Sequence, residues 1–436
     1  MEEVIMATTK RQPVRASLAA FLGTMIEWYD FYIYAFASAM IFGSLFFETE
    51  SVFIATIASF ATFAIGLLVR PLGAIVFGHL GDKIGRKKSL VITLFMMGFS
   101  TIGIGFLPTY AQIGVGAPIL LIVLRIIQGL SVGGEWGGAV LIAAEHAPKN
   151  RKTFFASFAQ LGSPAGLILA TIAFRLISGL DDEDLYSYGW RLPFLASFGL
   201  LVVGYLVRRS VNESPEFIEA KAERDRDIAD NKPQVAPFKE LFSKMPKVIL
   251  LAIGANVLGI AGFYFVNTFM LSYTTAYLEM DRKLILNVLL VVSFVQFFSQ
   301  PLSALVGEKF NSYKFLLFSS FVCIFSPYLM FILVDTQNPL LMIVGISITV
   351  IFMAGYYSVI AGFLTTLFPV HLRYTAISVA YQFCGAIAGG LTPLIGTFLA
   401  EMYAGSWIPL AVFYSFISLL TMSCVFFLNP RKRATY

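Results

Sequence analysis

Long apolar stretches alternate with short polar segments along the whole chain of 436 residues. An apolar stretch of about 18 residues or more is long enough to cross a bilayer as a helix. Twelve stretches meet this condition and are predicted to be membrane helices: 18–46, 52–78, 89–107, 117–143, 154–179, 191–209, 248–278, 284–306, 314–334, 339–367, 374–402 and 407–428.

A longer polar segment, residues 210–247, separates the first six stretches from the last six. The chain is therefore predicted to be an all-α integral membrane protein with two six-helix bundles, at 1–209 and 248–436, joined by a cytoplasmic linker. The linker mixes both signs of charge with prolines and helix-forming residues. We interpret it as short amphipathic helices on the membrane surface, with a flexible tether as the alternative.

The composition agrees with a membrane protein. Hydrophobic residues make up 58% of the chain and charged residues 13%, about half of the roughly 25% that a soluble protein carries. A lipid-facing wall must instead be apolar. The three cysteines are far apart and the three histidines lie at the cytoplasmic edges, so no disulfide, metal site or cofactor is predicted. The sequence contains no nucleophile–base signature, so an enzyme is not predicted, and no nucleic-acid partner is expected.

Charged residues outside the spans are distributed asymmetrically, which predicts an orientation with both termini in the cytoplasm. Acidic residues mark the opposite face at Glu48, Glu50 and Asp181–Asp184. The basic residues assigned to the cytoplasmic side include Lys10, Arg11, Arg15, Lys83, Arg86, Lys87, Lys88, Lys149, Arg151, Lys152, Arg208, Arg209, Arg431, Lys432 and Arg433. The expected location is the inner membrane of a bacterium, as a monomer.

The segment after the second span, from Gly78 to Lys88, reads GHLGDKIGRKK. Its glycines permit close helix approach and, at Gly85, a turn with positive φ. Asp82 can meet an arginine or the positive end of a helix in a contact that forms and breaks. This pattern resembles the signature loop of the major facilitator superfamily, which implies that the segment is a cytoplasmic gate containing Arg86.

The fourth span contains ionisable groups within apolar sequence, where such groups are costly unless they are paired or line a wet cavity. Arg125 and Gln128 begin the pattern RIIQG, and Glu135 lies in GGEWGG. We expect Gln128 and Glu135 to face the cavity, and a structural ion pair between helices is the alternative for Arg125 and Glu135. The second pattern resembles the metabolite:proton symporter family, which carries shikimate, α-ketoglutarate, citrate and proline/betaine.

The first span places Glu27 and Asp30 three residues apart, on one face of a helix, in the sequence EWYD. Two carboxylates in apolar surroundings are difficult to ionise together, which suits groups that load and release a proton. Asp30 is favoured over Glu27 as the titrating group. The alternative is that one of them only neutralises Arg70 or Arg125. Arg70 can also receive an anionic substrate, since arginine binds carboxylates bidentately.

Two further loops occupy matching places in the two halves and complete the predicted cytoplasmic gate. Glu145 and Arg151 belong to the first loop and Arg373 to the second. Each loop resembles the superfamily's acid–proline–arginine pattern, although Thr366 stands where an acid is usual. The C-terminal counterpart of the gate segment, GEKFNSYK from Gly307 to Lys314, keeps an acid but has lost the glycine and arginine. These copies are typical of an internal repeat.

The last six spans carry polar rather than charged residues. They offer candidate substrate-lining side chains, with interhelical hydrogen bonds as the alternative role. These candidates are Asn256, Tyr264, Gln296, Tyr356 and Gln382.

The resemblance implies a proton-coupled symporter that imports a small organic acid or zwitterion by alternating access. An uncoupled facilitator or a proton antiporter that exports a small molecule is the first alternative, and a transporter-like sensor is the second. The predicted partners are a small-molecule substrate, the proton and the lipid bilayer.

Overall fold

The computed structural model describes residues 2–47, 52–177, 179–230, 236–403 and 405–429, and no strand occurs within these ranges. Glu48, Glu50, Arg431, Lys432 and Arg433 lie outside the described residues, and the side chains of Lys10 and Arg11 are likewise not described.

The first half of the chain forms six membrane helices. They are α1 (Glu2–Met40), α2 (Val52–Leu68 and Arg70–Ile84), α3 (Arg86–Gly105), α4 (Gly116–His146), α5 (Lys152–Ile177) and α6 (Arg191–Arg209). Short helical turns lie between them, at Phe42–Phe46, Tyr110–Ile113, Asp182–Asp184 and Leu185–Gly189. The last of these has π-helical hydrogen bonding.

The second half of the chain forms six more. They are α7 (Pro246–Ala255, Val257–Tyr264, Phe265–Phe269 and Met270–Ala276), α8 (Arg282–Phe310), α9 (Ser312–Asp335), α10 (Pro339–Thr365), α11 (Arg373–Cys384, Gly385–Gly389 and Gly390–Met402) and α12 (Ile408–Phe427). The segments Phe265–Phe269 and Gly385–Gly389 are π-helical. Between the two sets lie helices Pro215–Ala229 and Pro237–Lys244, so the linker contains the predicted short helices.

Eleven of the membrane helices, all but α1, are long and apolar enough to span a bilayer among the residues that are described. Helix α1 is 39 residues long, but Glu27, Asp30 and several tyrosines lower its mean hydropathy. It completes the twelve predicted helices, and its low hydropathy reflects the buried polar groups described below.

The gate segment is more helical than the sequence analysis assumed. The second span was expected to end at residue 78, but α2 continues to Ile84 and α3 begins at Arg86. Only Gly85 interrupts the helical path, with φ at 112°, a left-handed conformation that favours glycine. The loop was predicted from its low hydropathy, yet polar residues at the end of a membrane helix continue the helix into water.

Contacts divide the chain into two compact units. The first contains Met1–His146 and Leu161–Gln234, and the second contains Ala147–Gln160 and Val235–Tyr436. In the first unit, α4 lies at the centre and packs against α1, α2 and α3. In the second unit, α10 packs against α8 and α9. The predicted domain boundaries, at 209 and 247, stay a prediction.

Candidate functional site

Helices α2 and α4 cross at a distance that only glycine allows. A Cβ atom added to Gly129 would lie 2.4 Å from the carbonyl oxygen of Gly66, and one added to Gly133 would lie 2.3 Å from that of Arg70. Small residues let membrane helices approach closely. The crossing therefore brings Arg70 of α2 next to α4 and its Arg125.

The two carboxylates of α1 point into this region and are buried, Glu27 being 2% exposed and Asp30 1%. Glu27 forms an ion pair with Arg70, with 3.7 Å between Oε1 and the guanidinium nitrogen. Its second oxygen has no hydrogen-bond partner among the described residues. Asp30 instead accepts hydrogen bonds from two hydroxyl groups, Thr101 at 2.6 Å and Ser197 at 3.0 Å. Neighbouring acids thus have different partners.

Arg125 has neutral partners. It donates to the side-chain oxygen of Gln128, and its guanidinium carbon lies 4.0 Å from the ring centroid of Tyr34 and 5.2 Å from that of Phe63. Within the described ranges, no carboxylate forms an ion pair with it. A buried guanidinium that rests on aromatic faces keeps its donors available to a planar anion.

These groups line one small cavity in the first unit. Its lining residues are Glu27, Asp30, Phe31, Gly66, Arg70, Arg125, Gln128, Gly129 and Val132. Five of the six residues predicted for the proton and substrate pathway are therefore brought together. The sixth, Glu135, lies elsewhere.

Glu135 forms a buried ion pair with Arg208 of α6 and accepts a hydrogen bond from Thr93 at 2.9 Å. Arg208 was expected among the basic residues of the cytoplasmic side at the start of the linker, but its side chain is buried within the unit and 3% exposed. The buried positions of α6, Ser197, Leu201, Gly204 and Arg208, recur every three or four residues. Because Arg208 continues this stripe, its side chain points into the unit while Arg209 remains exposed.

A second buried cluster surrounds Arg86 at the junction of α2 and α3. The side chain of Arg86 is fully buried and lies 3.5 Å from Asp82 and 3.4 Å from Glu145. Gly78 is also buried, on α2. The charged gate residues predicted in the first unit, Asp82, Arg86 and Glu145, thus form one ion-pair cluster around a single arginine.

The linker supplies partners of this cluster that sequence reasoning missed. Glu213 accepts hydrogen bonds from the backbone N–H groups of Arg86, at 3.0 Å, and Lys87, at 3.3 Å, so it caps the first turn of α3. The ring of Phe217 lies 4.7 Å from the Arg86 guanidinium carbon. Arg224 donates to the carbonyl oxygen of Asp82 at 3.1 Å. Helix Pro215–Ala229 is therefore attached to the gate segment.

The other two predicted gate residues belong to the second unit. Arg151 lies 4.0 Å from Glu308, which also accepts from the backbone N–H of Phe154 at 2.7 Å. Arg373 donates to the carbonyl oxygen of Phe368 at 3.3 Å. Glu308 is the acid that the degenerate gate copy retained, and this retained acid was the sequence signal that could have identified it as a partner of Arg151.

The second linker helix, Pro237–Lys244, carries a carboxylate with two basic neighbours. Glu240 accepts from Lys244 Nζ at 2.8 Å and lies 3.5 Å from His371 Nε2. Burial opposes ionisation of Glu240, but these two partners outweigh it and hold its pKa below the ordinary value.

The polar candidates of the last six spans are buried or half-buried in the second unit. Tyr356 donates to the carbonyl oxygen of Ala255 at 2.6 Å, and Asn256 donates to that of Ala252 at 2.8 Å. Gln296 has an amide nitrogen without a hydrogen-bond partner in the described part of the chain. Gln382 is 2% exposed, and Tyr264 packs against Gly389. None of them is charged.

Comparison with known proteins identifies the family. The sequence matches the Major Facilitator Superfamily over residues 20–379 and again over residues 253–435. The chain belongs to the major facilitator superfamily. Its two overlapping matches agree with the internal repeat read from the loops.

Relatives and solved structures extend this result. The shikimate transporter of Escherichia coli (strain K12) is 36% identical over 423 residues, which cover 96% of this chain and 95% of the relative. The glycine betaine/proline/ectoine/pipecolic acid transporter OusA of Dickeya dadantii (strain 3937) is 34% identical and covers 91% of this chain and 79% of its own. The proton:xylose symporter XylE, bound to 6-bromo-6-deoxy-D-glucose, matches in structure with a TM-score of 0.74 at 15% identity over 96% of this chain and 95% of its own.

These comparisons confirm the predicted family and the all-α membrane fold of the superfamily. The protein is a multi-pass membrane transporter of small molecules and not an enzyme.

Proposed function

We propose that this transporter is a proton symporter that imports a small organic acid or a zwitterion by alternating access. The observation that carries the proposal is the cavity in which Glu27 and Asp30 lie beside Arg70 and Arg125. Ionisable groups within a membrane span are costly and are retained where ions or protons move.

Asp30 is the proposed proton carrier. Its carboxylate has no arginine partner at ion-pair distance among the described residues, and its neighbours are the hydroxyl groups of Thr101 and Ser197. Hydroxyl groups can either donate or accept, so they accommodate both an ionised and a protonated acid. Glu27 already shares a contact with Arg70, which favours a role in holding that arginine.

Arg125 is the proposed site for a substrate carboxylate. Its partners are Gln128 and two aromatic rings, and arginine binds carboxylates bidentately. The names of the two relatives support this class. Shikimate, proline and glycine betaine differ in shape and in net charge, but each carries a carboxylate group.

Release to the cytoplasm requires a gate that opens and closes. In the first unit we assign this role to Asp82, Arg86 and Glu145, whose ion pairs surround one arginine. In the second unit we assign it to Arg151 and Arg373, with Glu308 as the partner of Arg151. The amide and phenol groups of Asn256, Tyr264, Gln296, Tyr356 and Gln382 are proposed to contact the uncharged part of the substrate.

The bacterial relatives support an inner-membrane location, and the charge distribution supports an orientation with both termini in the cytoplasm. Lys83, Lys87 and Lys88 lie at one end of the membrane helices, and Asp181–Asp184 lie in the loop that precedes α6. We expect the protein to act as a monomer.

Two measurements test the proposal. A thermal-shift screen of carboxylic acids and betaines on the purified protein, starting with shikimate and proline, identifies a ligand. Uptake of that ligand into proteoliposomes is then measured with an inward proton gradient. Accumulation above the external concentration, abolished by a protonophore, is expected. Accumulation driven by the opposite gradient would indicate an antiporter, equilibration alone a facilitator, and binding without uptake a sensor.

A further inference from the structure

A chain of hydrogen bonds joins Arg125 to Asp30 through two neutral side chains. Arg125 donates to Oε1 of Gln128, and Nε2 of Gln128 donates to Oγ1 of Thr101 at 2.7 Å. Oγ1 of Thr101 then donates to Oδ2 of Asp30 at 2.6 Å. All four side chains are buried, with exposures between 0% and 3%.

The direction of this chain is fixed by chemistry. A guanidinium group only donates hydrogen bonds, so the oxygen of the Gln128 amide must face Arg125. The amide nitrogen must then face Thr101, whose oxygen accepts. The single hydroxyl proton of Thr101 is thereby left for another acceptor.

Two acceptors lie within reach of that proton. One is Oδ2 of Asp30, and the other is the carbonyl oxygen of Met97, four residues earlier in α3, at 3.0 Å from Thr101 Oγ1. Rotation about the Cβ–Oγ1 bond moves the proton from one acceptor to the other without moving a heavy atom.

We propose that Thr101 is a positioning residue that turns its hydroxyl between Asp30 and Met97 as Asp30 releases and takes up the transported proton. This rests on the proposed function, in which Asp30 is the carrier. When Asp30 is ionised, Thr101 donates to its carboxylate. When Asp30 is protonated on Oδ2, the acid O–H donates to Thr101, which donates to Met97. Oγ1 of Thr101 then accepts from both Gln128 and Asp30, which is its full capacity.

The charged and titratable groups around Asp30 are the same in both positions of the Thr101 hydroxyl. Helix α1 contributes Glu27 and Tyr29, and α4 contributes Arg125. From α2, Arg70 faces Asp30 through its ion pair with Glu27. Arg208 of α6 interacts electrostatically with Glu27. Among the described residues, α3 adds the neutral Thr101 at Oδ2 of Asp30, and α6 adds the neutral Ser197 at the other carboxylate oxygen, Oδ1. The Thr101 hydroxyl is therefore the element at Oδ2 that changes between the two states.

Infrared titration tests the proposal without a substrate. The carbonyl band of protonated Asp30 is identified in proteoliposomes as the band that Asp30→Asn removes, and its intensity is followed against pH. Thr101→Val removes the hydroxyl at nearly constant volume, whereas Thr101→Ser keeps it. Thr171→Val, at an exposed threonine of α5 that bonds only its own helix, is the matched control.

The midpoint of the Asp30 band is expected to rise by about one pH unit in Thr101→Val. The valine removes a donor to the anion and an acceptor for the acid, and the hydrogen bond to the charged form is the stronger one. Thr101→Ser and Thr171→Val should titrate as the wild type does. Thr101→Ala provides a second test with the same expectation if the valine variant does not fold.

A midpoint that is unchanged in both Thr101→Val and Thr101→Ala would overturn the inference while leaving Asp30 as the carrier. An equal rise in Thr101→Ser would also overturn it, because the hydroxyl would then not be the cause. If Asp30→Asn removed no band at any pH, Asp30 would not titrate, and both this inference and the proposed proton carrier would be wrong.

Discussion

The two units of this transporter bury different kinds of polar groups. Every described Asp, Glu, Lys or Arg that is buried belongs to the first unit, and the second unit buries only neutral polar side chains. The buried charged residues are Glu27, Asp30, Asp82, Arg86, Arg125, Glu135, Glu145 and Arg208. Removing charge from water costs several kcal/mol per ion. The buried charges that the proposal assigns to the proton and to the substrate carboxylate therefore lie in the first unit, and the groups proposed to contact the uncharged part of the substrate lie in the second.

The strongest test of this division is Asp30→Asn. We expect it to abolish proton-driven accumulation, which for one proton per substrate is worth about tenfold per unit of imposed pH gradient. Counterflow exchange of labelled substrate should persist, since exchange needs no net proton movement. Both are measured in proteoliposomes with the ligand found in the screen.

Asp335→Asn provides the control, because this aspartate is exposed at the end of α9. Its variant should accumulate substrate as the wild type does. Wild-type accumulation and counterflow in Asp30→Asn would remove the proton role from Asp30 and with it the clearest functional contrast between the units.

Disrupting the ion pair between Glu135 and Arg208 tests whether these two buried charges stabilise the fold and have no part in transport. Glu135→Gln leaves Arg208 buried without its carboxylate partner, and the loss of one partner of a buried pair costs about 3–5 kcal/mol. The double variant Glu135→Met, Arg208→Met should recover most of that loss, because no uncompensated charge remains. Unfolding titrations with SDS in mixed micelles measure the free energies.

If the effects of Glu135→Met and Arg208→Met simply added in the double variant, the two side chains would not be coupled. If the double variant were stable but unable to transport, the pair would serve transport as well as stability. Either result would change which charges of the first unit count as functional.

The sequence predicted the architecture because membrane spans follow from composition and length alone. The positions of Glu27, Asp30, Arg70, Arg125 and Gln128 around one cavity followed from helical spacing and from the rarity of charge in apolar sequence. Glu135 was expected beside them, because residues 128 and 135 share a face of α4. The sequence contained no indication that α6 would supply it with a partner.

Sequence reasoning missed several partners of the site residues, because each missed partner is of a residue type that is common at its kind of position in a membrane protein. Arg208 stands next to Arg209 at the end of a span, where positive charge is expected on topological grounds. Thr101 and Ser197 are common side chains in membrane helices, and their contact with Asp30 depends on how α3 and α6 pack. Glu213 lies in a polar linker, and only the fold brings it to the start of α3.

Asp82→Asn tests the gate cluster and should have a smaller effect. It weakens one of the carboxylate contacts of Arg86, so the equilibrium constant between closed and open gates should change about tenfold, or by about 1.4 kcal/mol. The transport rate should change as a result. Binding of the screened ligand should stay within about twofold of the wild type, because Asp82 does not line the cavity.

Transport rate and equilibrium binding are measured separately on the same preparation. Lys83→Gln is the matched control, since Lys83 is the exposed neighbour of Asp82. Loss of binding in a folded Asp82→Asn variant would contradict the gate role.

The smallest expected change comes from the second unit, at Gln300 of α8. This side chain is fully buried, and neither amide atom has a hydrogen-bond partner in the described part of the chain. Burying an amide without a partner is unfavourable, so Gln300→Leu should leave the free energy of unfolding within about 1 kcal/mol of the wild type or raise it.

Gln160→Leu is the contrasting variant, because Gln160 donates to the carbonyl oxygen of Tyr357 at 2.9 Å. This variant should lose about 1 kcal/mol of unfolding free energy. If Gln300→Leu is stable but binds the screened ligand at least tenfold more weakly, its amide is reserved for the substrate. If it instead destabilises the protein as Gln160→Leu does, the neutral groups of the second unit serve packing, and substrate recognition would rest with the charged groups of the first.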